Sequence, residues 1–83
     1  MKVTVKLYAS LGRYLPPGAR ENVAEIELDG NATPAGVIER LRVPPEHCHL
    51  VLVNGTYLPP SERASRHLAE HDAVAIWPPI AGG

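Results

Sequence analysis

Phenylalanine is absent from these 83 residues, and cysteine, methionine and tryptophan each occur once. Without Phe the core must be aliphatic, with Tyr8, Tyr14, Tyr57 and Trp77 as the aromatic rings available to it. A lone cysteine, Cys48, excludes an internal disulfide framework and suits a reducing cytoplasm. No apolar run approaches the ~20 residues needed to span a bilayer, and no charged-then-apolar leader pattern opens the chain. Excess charge is missing as well. Eight Lys and Arg against nine Asp and Glu leave a net −1 with no basic stripe, which argues against nucleic acid as the main partner. There is also no Gly-rich phosphate loop, no nucleophile elbow and no two-metal carboxylate set.

What is present is a 45% apolar composition, enough for one small domain over residues 1–83. "MKVTVKL" alternates, with Val3, Val5 and Leu7 facing one side and Lys2, Thr4 and Lys6 the other, the pattern of a half-buried strand. "ASLGRYLPPG" places Leu11 and Leu15 one helical turn apart. This predicts a short helical segment, weakened by Gly12 and ended by Pro16-Pro17-Gly18. "NVAEIELDG" alternates again, with Ala24, Ile26 and Leu28 against Glu25 and Glu27, and is the expected antiparallel partner of the first strand. In "NATPAGVIERLRVPP", Thr33 can cap a helix and Pro34 suits its first position, where an N–H would be unpaired anyway. Val37, Ile38 and Leu41 then share one face, and Pro44-Pro45 is the expected stop.

"HCHLVLVNG" reads as a strand running into Asn54-Gly55, a strong hairpin signal, with a short return arm "TYL". "PPSERASRHLAEHD" is a polar crossover in which Leu68 plugs the core. "AVAIW", apolar at every position, is either central in the sheet or covered on both faces. The order strand, strand, helix, strand, short strand, strand describes an α+β ubiquitin-like β-grasp. That fold is a mixed sheet of four to five strands with one main helix packed across it, and its first and last strands lie parallel at the centre.

Within that fold few side chains offer chemistry. His47 and His49 flank Cys48, and as alternate residues of a strand they would share a face. Two imidazoles do not close a zinc site, so no metal is assigned. Cys48, alternating with Leu50 and Leu52, is read as a small core residue rather than a nucleophile. Arg63, Arg66 and His67 make a modest basic cluster, either a solvated loop or a patch for an acidic partner. No acid–base pair emerges, so the chain has no catalytic constellation of its own.

The tail 78–83, "PPIAGG", stands apart. Six residues reach at most about 20 Å. Pro78 and Pro79 favour an extended path, and Gly82 and Gly83, lacking Cβ, fit a narrow channel. The composition is that of a projecting segment suited to entering another protein's active site, though a frayed end after a proline stop has the same composition.

The stretch "LVLVNGTYL…LAEHDAVAIWPPIAGG", behind "MKVTVKLYASLGRYL", resembles the MoaD/ThiS family of ubiquitin-like sulfur carriers over essentially the whole chain. Within that family it is most similar to the small subunits of molybdopterin synthase, which commonly end in Pro-Pro, a small apolar pair and Gly-Gly. The resemblance implies that Gly83 is the reactive residue. Its carboxylate would be adenylated by an activating enzyme resembling the ubiquitin-activating family, which uses ATP, and then converted to a thiocarboxylate by a sulfur donor. Pro78, Pro79, Ile80, Ala81 and Gly82 would insert into the active site of a partner. For molybdenum or tungsten cofactor synthesis that partner is the molybdopterin synthase large subunit. No cofactor is expected on this chain, since ATP belongs to the activating partner. Docking is expected through the open sheet face, with Leu50, Tyr57 and Leu58 as candidates together with Val51; alternation leaves open which face looks outward.

The same carrier chemistry can feed thiamine, cysteine or tRNA thiolation. Other readings are a ubiquitin-like protein modifier joined through Gly83 to lysine, and an interaction module with an inert tail. One departure from the family is His71-Asp72, where Gly-Asp is usual. If that glycine has positive φ, either His71 adopts it at mild strain or the turn differs.

Overall fold

The first two alternating segments form strands where the pattern places them. The computed structural model describes residues 1–79. Strand β1, Lys2–Leu7, buries Val3, Val5 and Leu7 and pairs antiparallel with β2, Val23–Glu27, setting Val3 opposite Ile26 and Val5 opposite Ala24. The segment between them winds as a 3-10 helix, Ala9–Tyr14, and buries Leu11. Gly12 does more here than weaken a helix. A Cβ on it would fall 2.7 Å from Nδ2 of Asn22, which donates to the Leu7 carbonyl at 2.7 Å. Asn22 is held there by a tight turn in which Glu21 and Asn22 both have positive φ (50° and 68°) and Arg20 and Val23 exchange backbone bonds. That is the two-residue hairpin geometry matched to strand twist.

Helix α1, Pro34–Arg40, starts as predicted. Thr33 Oγ1 accepts from the Gly36 N–H at 3.2 Å and Pro34 opens the first turn. It stops earlier than Pro44-Pro45. Leu41 is the C-cap, Arg42 turns left-handed (φ 61°), and the N–H groups of Arg42 and Val43 donate to the carbonyls of Glu39 and Ile38. This double bond closes the helix end without the usual glycine. Val37 and Ile38 pack under the buried face of the sheet with Val43 and Leu68.

The third strand also begins later than its sequence pattern. Pro45–His47 is a 3-10 turn, and β3 runs only over Leu50–Val53. Its buried residues are Val51 and Val53, so Leu50 and Leu52 face away from Cys48 rather than alongside it. Asn54-Gly55, with φ of 52° and 83°, turns the chain into β4, Thr56–Tyr57, a two-residue edge strand. Strand β5, Ala73–Trp77, is central in the order β2-β1-β5-β3-β4. It is parallel to β1, with Leu7 opposite Ile76, and antiparallel to β3, with Val51 opposite Ile76. Val74 and Ile76 are fully buried, so β5 is both central and alternating. The mixed sheet with its one main helix is the expected β-grasp.

The entry into β5 is pinned by polar side chains. Asn54 Nδ2 donates to Asp72 Oδ1 (2.9 Å), the Ala73 N–H donates to Asn54 Oδ1 (2.9 Å), and the Ala69 N–H donates to Asp72 Oδ2 (2.8 Å). His71 takes φ 69° and donates its N–H to the Lys2 carbonyl at 2.7 Å. Of the two alternatives at this position the strained one is adopted, and the bond to β1 holds it. The Asn54 amide first, and then the Ala69 N–H, keep the Asp72 carboxyl below the ordinary aspartate range. A depressed carboxylate pKa stabilises the fold above the unfolded value of about 3.9, and that stabilisation is lost as pH falls through the folded value. Thermal melts of Asp72→Ala are expected to show a midpoint lower by a few degrees at neutral pH, with the gap from wild type closing as the acid limb is descended. A gap that stays constant through the acid range would remove the carboxylate from the account.

Candidate functional site

The chain leaves the sheet from its middle. Strand β5 ends at Trp77, whose carbonyl accepts from the His49 N–H at 2.9 Å, while the Ile76 carbonyl accepts from the Tyr8 N–H at 3.1 Å. Neither Pro78 nor Pro79 has an N–H, so the donor side of the ladder cannot be extended. Pro78 is half-buried at the sheet margin and Pro79 is exposed. The remaining predicted tail residues, Ile80, Ala81, Gly82 and Gly83, lie outside the described residues. At the foot of the tail the rings of Tyr8 and Trp77 stack, with centroids 4.3 Å apart and planes inclined by 10°.

The sheet face opposite α1 divides into two halves. Over β1 and β2 it is polar, with Lys2 opposite Glu27 and Thr4 opposite Glu25. Over β5, β3 and β4 it is apolar: Ala75, Leu52 and Tyr57 form one cross-strand row, and Trp77 and Leu50 form the next. Tyr57 is 53% exposed, and Leu50, Leu52 and Trp77 are half-buried. Apolar side chains open to solvent in adjoining rows make this half of the face the candidate docking surface. It lies directly beside the strand from which the tail departs.

Of the docking candidates read from the sequence, Leu50 and Tyr57 are on this face. Leu58 is not: at 5% exposed it belongs to the core, with its N–H bonded to the Val51 carbonyl. Val51 is fully buried as well. Leu52, Ala75 and Trp77 were missed as surface residues. Once β3 is known to start at Leu50, Leu52 follows by alternation, but that start carries no local sequence mark.

His47 and His49 do not share a strand face. One lies on the 3-10 turn and the other before β3, both are exposed, and among the described residues no three His, Cys, Asp or Glu side chains converge. Arg63 is not a solvated member of a basic cluster. Its guanidinium donates to the carbonyls of Cys48 (2.9 Å) and His49 (3.3 Å), and its own carbonyl accepts from the Ala35 N–H at 2.8 Å. It thus ties the crossover to the start of β3 and to the first turn of α1. Arg66 and His67 remain exposed. Among the described residues no helix is long and apolar enough to cross a membrane.

Cys48 is 4% exposed, and burial pushes its thiol up, partly offset by the nearby Arg63. This favours a core role over nucleophilic chemistry, because the thiolate is the reactive form. An aromatic disulfide reagent is expected to modify the native protein at least about 100-fold more slowly than the denatured chain. Comparable rates, followed by release of the coloured thiolate, would make Cys48 an accessible thiol.

Residues 14–83 match the ThiS family profile. Among solved structures, the chain is similar to small archaeal modifier protein 1 of Haloferax volcanii. The two are 23% identical over 95% of this chain and 98% of that one, with a TM-score of 0.68. It is also similar to the HVO 2177 protein of the same organism, 23% identical over 100% of this chain and 87% of that one, with a TM-score of 0.77. A third likeness is to a Pyrococcus furiosus protein described as a candidate molybdopterin converting factor, subunit 1. It is 25% identical over 95% of this chain and 98% of that one, with a TM-score of 0.68. No curated protein sequence matches the chain.

Proposed function

The chain belongs to the ThiS family of small ubiquitin-like carriers, and from that premise we propose that it carries sulfur as a thiocarboxylate on Gly83 for molybdopterin synthesis. The observation that supports this most is the exit of the chain from the sheet centre through Pro78-Pro79, beside an apolar open face. A partner that docks on Leu50, Leu52 and Tyr57 meets the departing tail at the margin of the same contact. Residues 78–83 then have a reach of up to about 20 Å into its active site.

The chemistry follows from what a carboxylate lacks. Ionised at neutral pH, it is a poor electrophile. An activating enzyme joins it to the α-phosphorus of ATP, releasing pyrophosphate and leaving an acyl-adenylate. Sulfur from a donor then attacks the acyl carbon and AMP departs. When the donor is a persulfide the first product is an acyl disulfide, and a second thiol must reduce its S–S bond to free the thiocarboxylate. Delivery to the pterin precursor takes place in the large subunit of molybdopterin synthase. This chain supplies the docking face and the carboxylate, and the partners supply the catalytic groups.

The likeness to the P. furiosus converting-factor subunit favours the molybdopterin branch. The likeness to small archaeal modifier protein 1 favours a second reading, in which activated Gly83 is transferred to a lysine amine as an isopeptide. The two share activation and part at the nucleophile. Carriage for thiamine, cysteine or tRNA thiolation differs only in the acceptor.

Intact mass of the protein from its native host tests the carrier reading directly. A fraction heavier by one oxygen-to-sulfur exchange, mapped to Gly83 and lost on hydrolysis, is expected. Lysine conjugates without that fraction would transfer the assignment to the modifier reading. Gly82→Ala adds one methyl where an active-site channel would be tight. It is expected to leave the melting temperature unchanged and to slow thiocarboxylation or transfer by about 10- to 100-fold. Wild-type rates in both assays would exclude insertion through a narrow channel.

A further inference from the structure

The two neighbours of β5 release it at different points. On the β3 side the last backbone bond reaches Trp77 itself, from the His49 N–H to the Trp77 carbonyl. On the β1 side the last bond falls one residue earlier, from the Tyr8 N–H to the Ile76 carbonyl. Because Pro78 and Pro79 cannot donate, neither of these residues repairs the difference. A side-chain contact fills the missing position. Leu7 lies opposite Ile76, so the next residues along this parallel pair are Tyr8 and Trp77, and their rings stack at 4.3 Å. Trp77 is thereby held from one side by its carbonyl and from the other by its indole.

We propose that Tyr8 is a positioning residue: its ring, stacked on Trp77, sets the direction in which the chain leaves the sheet and so the rate at which Gly83 reaches a partner's reacting groups. The inference rests on the carrier reading for its chemical consequence. Its physical cause is leverage. A turn of about 20° at Trp77 redirects the chain from Pro78 onward, and a misplacement of about 1 Å at a partner's reacting groups can cost a 100-fold loss of rate. Tyr8 lies outside the Tyr57–Leu52–Ala75 row, which its loss leaves in place, and it meets the docking half at Trp77.

The test compares wild type, Tyr8→Leu and Tyr8→Phe in steady-state activation by the host's activating enzyme. Carrier concentration is varied, sulfide is supplied to turn the adenylate over, and pyrophosphate release is the readout. Tyr8→Leu is expected to lower the saturating rate about 3- to 10-fold while changing the half-saturating concentration less than about twofold. Tyr8→Phe, which keeps the ring, restores the rate. A second readout does not depend on activity. Trp77 is the chain's one tryptophan, and its fluorescence anisotropy decay is expected to gain a fast local component in Tyr8→Leu but not in Tyr8→Phe. An unchanged decay in Tyr8→Leu overturns the proposal, as does a rise in half-saturating concentration with the saturating rate intact. If wild type itself yields no pyrophosphate, the carrier reading fails, and the anisotropy decay alone decides whether the stack holds the exit. Should Tyr8→Leu not fold, Tyr8→Met keeps the half-buried apolar volume without a ring and takes its place in both measurements.

Discussion

The rest of the structure depends on the parallel pairing of β1 with β5. Thr4 to Leu7 lie against Ala73 to Ile76, so almost the whole chain must be routed between two strands that end as neighbours. A parallel pair cannot be closed by a hairpin. The intervening segments therefore have to wrap: β2 on the outer flank of β1, α1 across the buried face, and the β3–β4 hairpin on the far side of β5. Long-range closure is entropically unfavourable, and what offsets it is the set of fully buried aliphatics, Val3, Val5, Leu7, Val74 and Ile76, that the pairing brings together. The functional geometry has the same origin. A last strand at the centre of a sheet must hand its continuation out between two neighbours, which fixes the root of the tail far better than an edge strand would.

Polar side chains set the geometry of this frame while the aliphatic core supplies its cohesion. Asn54 and Asp72 lock the hairpin to the first residue of β5, and Asn22 locks the β2 approach to the end of β1. Arg63 fastens the crossover to the start of β3 through the carbonyls of Cys48 and His49, and to α1 through its own carbonyl. Each is at a chain reversal where the backbone alone cannot satisfy its own hydrogen bonds. At His71 and Arg42 the same need is met by accepting positive φ in a residue with a side chain, a local strain that a long-range or helix-end bond holds in place.

How much of this was legible follows from how local each signal is. Strict alternation exposed β1 and β2, and Thr33-Pro34 exposed the start of α1, because those signals lie within a few residues. The end of α1 was misplaced because Arg42 adopts the left-handed position normally marked by glycine. The start of β3 was misread because "HCHLVLV" alternates through a proline-led turn that has no strand geometry. A strand displaced by one residue exchanges its faces, which put Leu50 and Leu52 beside Cys48 on paper and Val51 and Val53 there in the molecule. Leu58 was named for the surface for a related reason: its neighbour Tyr57 ends β4, and the chain then turns inward. The role of Arg63 had no signal to find, since bonds from a long side chain to carbonyls 14 and 15 residues away leave no pattern in sequence. For the site, the tail's composition was legible, and of the apolar face only Leu50 and Tyr57 were.

The division of the open face explains how one small domain can serve several partners in turn. A carrier must bind the enzyme that activates it and later release it to bind the one that uses the cargo, so neither contact can be very tight. The apolar half built from Leu50, Leu52, Tyr57, Ala75 and Trp77 is small, and the adjoining Lys2–Glu27 and Thr4–Glu25 pairs present both signs of charge. Such a rim gives orientation more than affinity, because exposed charges lose little water and are screened by salt. On the proposed carrier reading, affinity comes from a modest apolar contact, while selectivity comes from whether the tail finds a channel in the partner at the right distance. Two weak requirements met at once discriminate better than either alone. Their geometric relation is set by the last residues of β5, so on that reading the sheet's central strand serves recognition as well as the core.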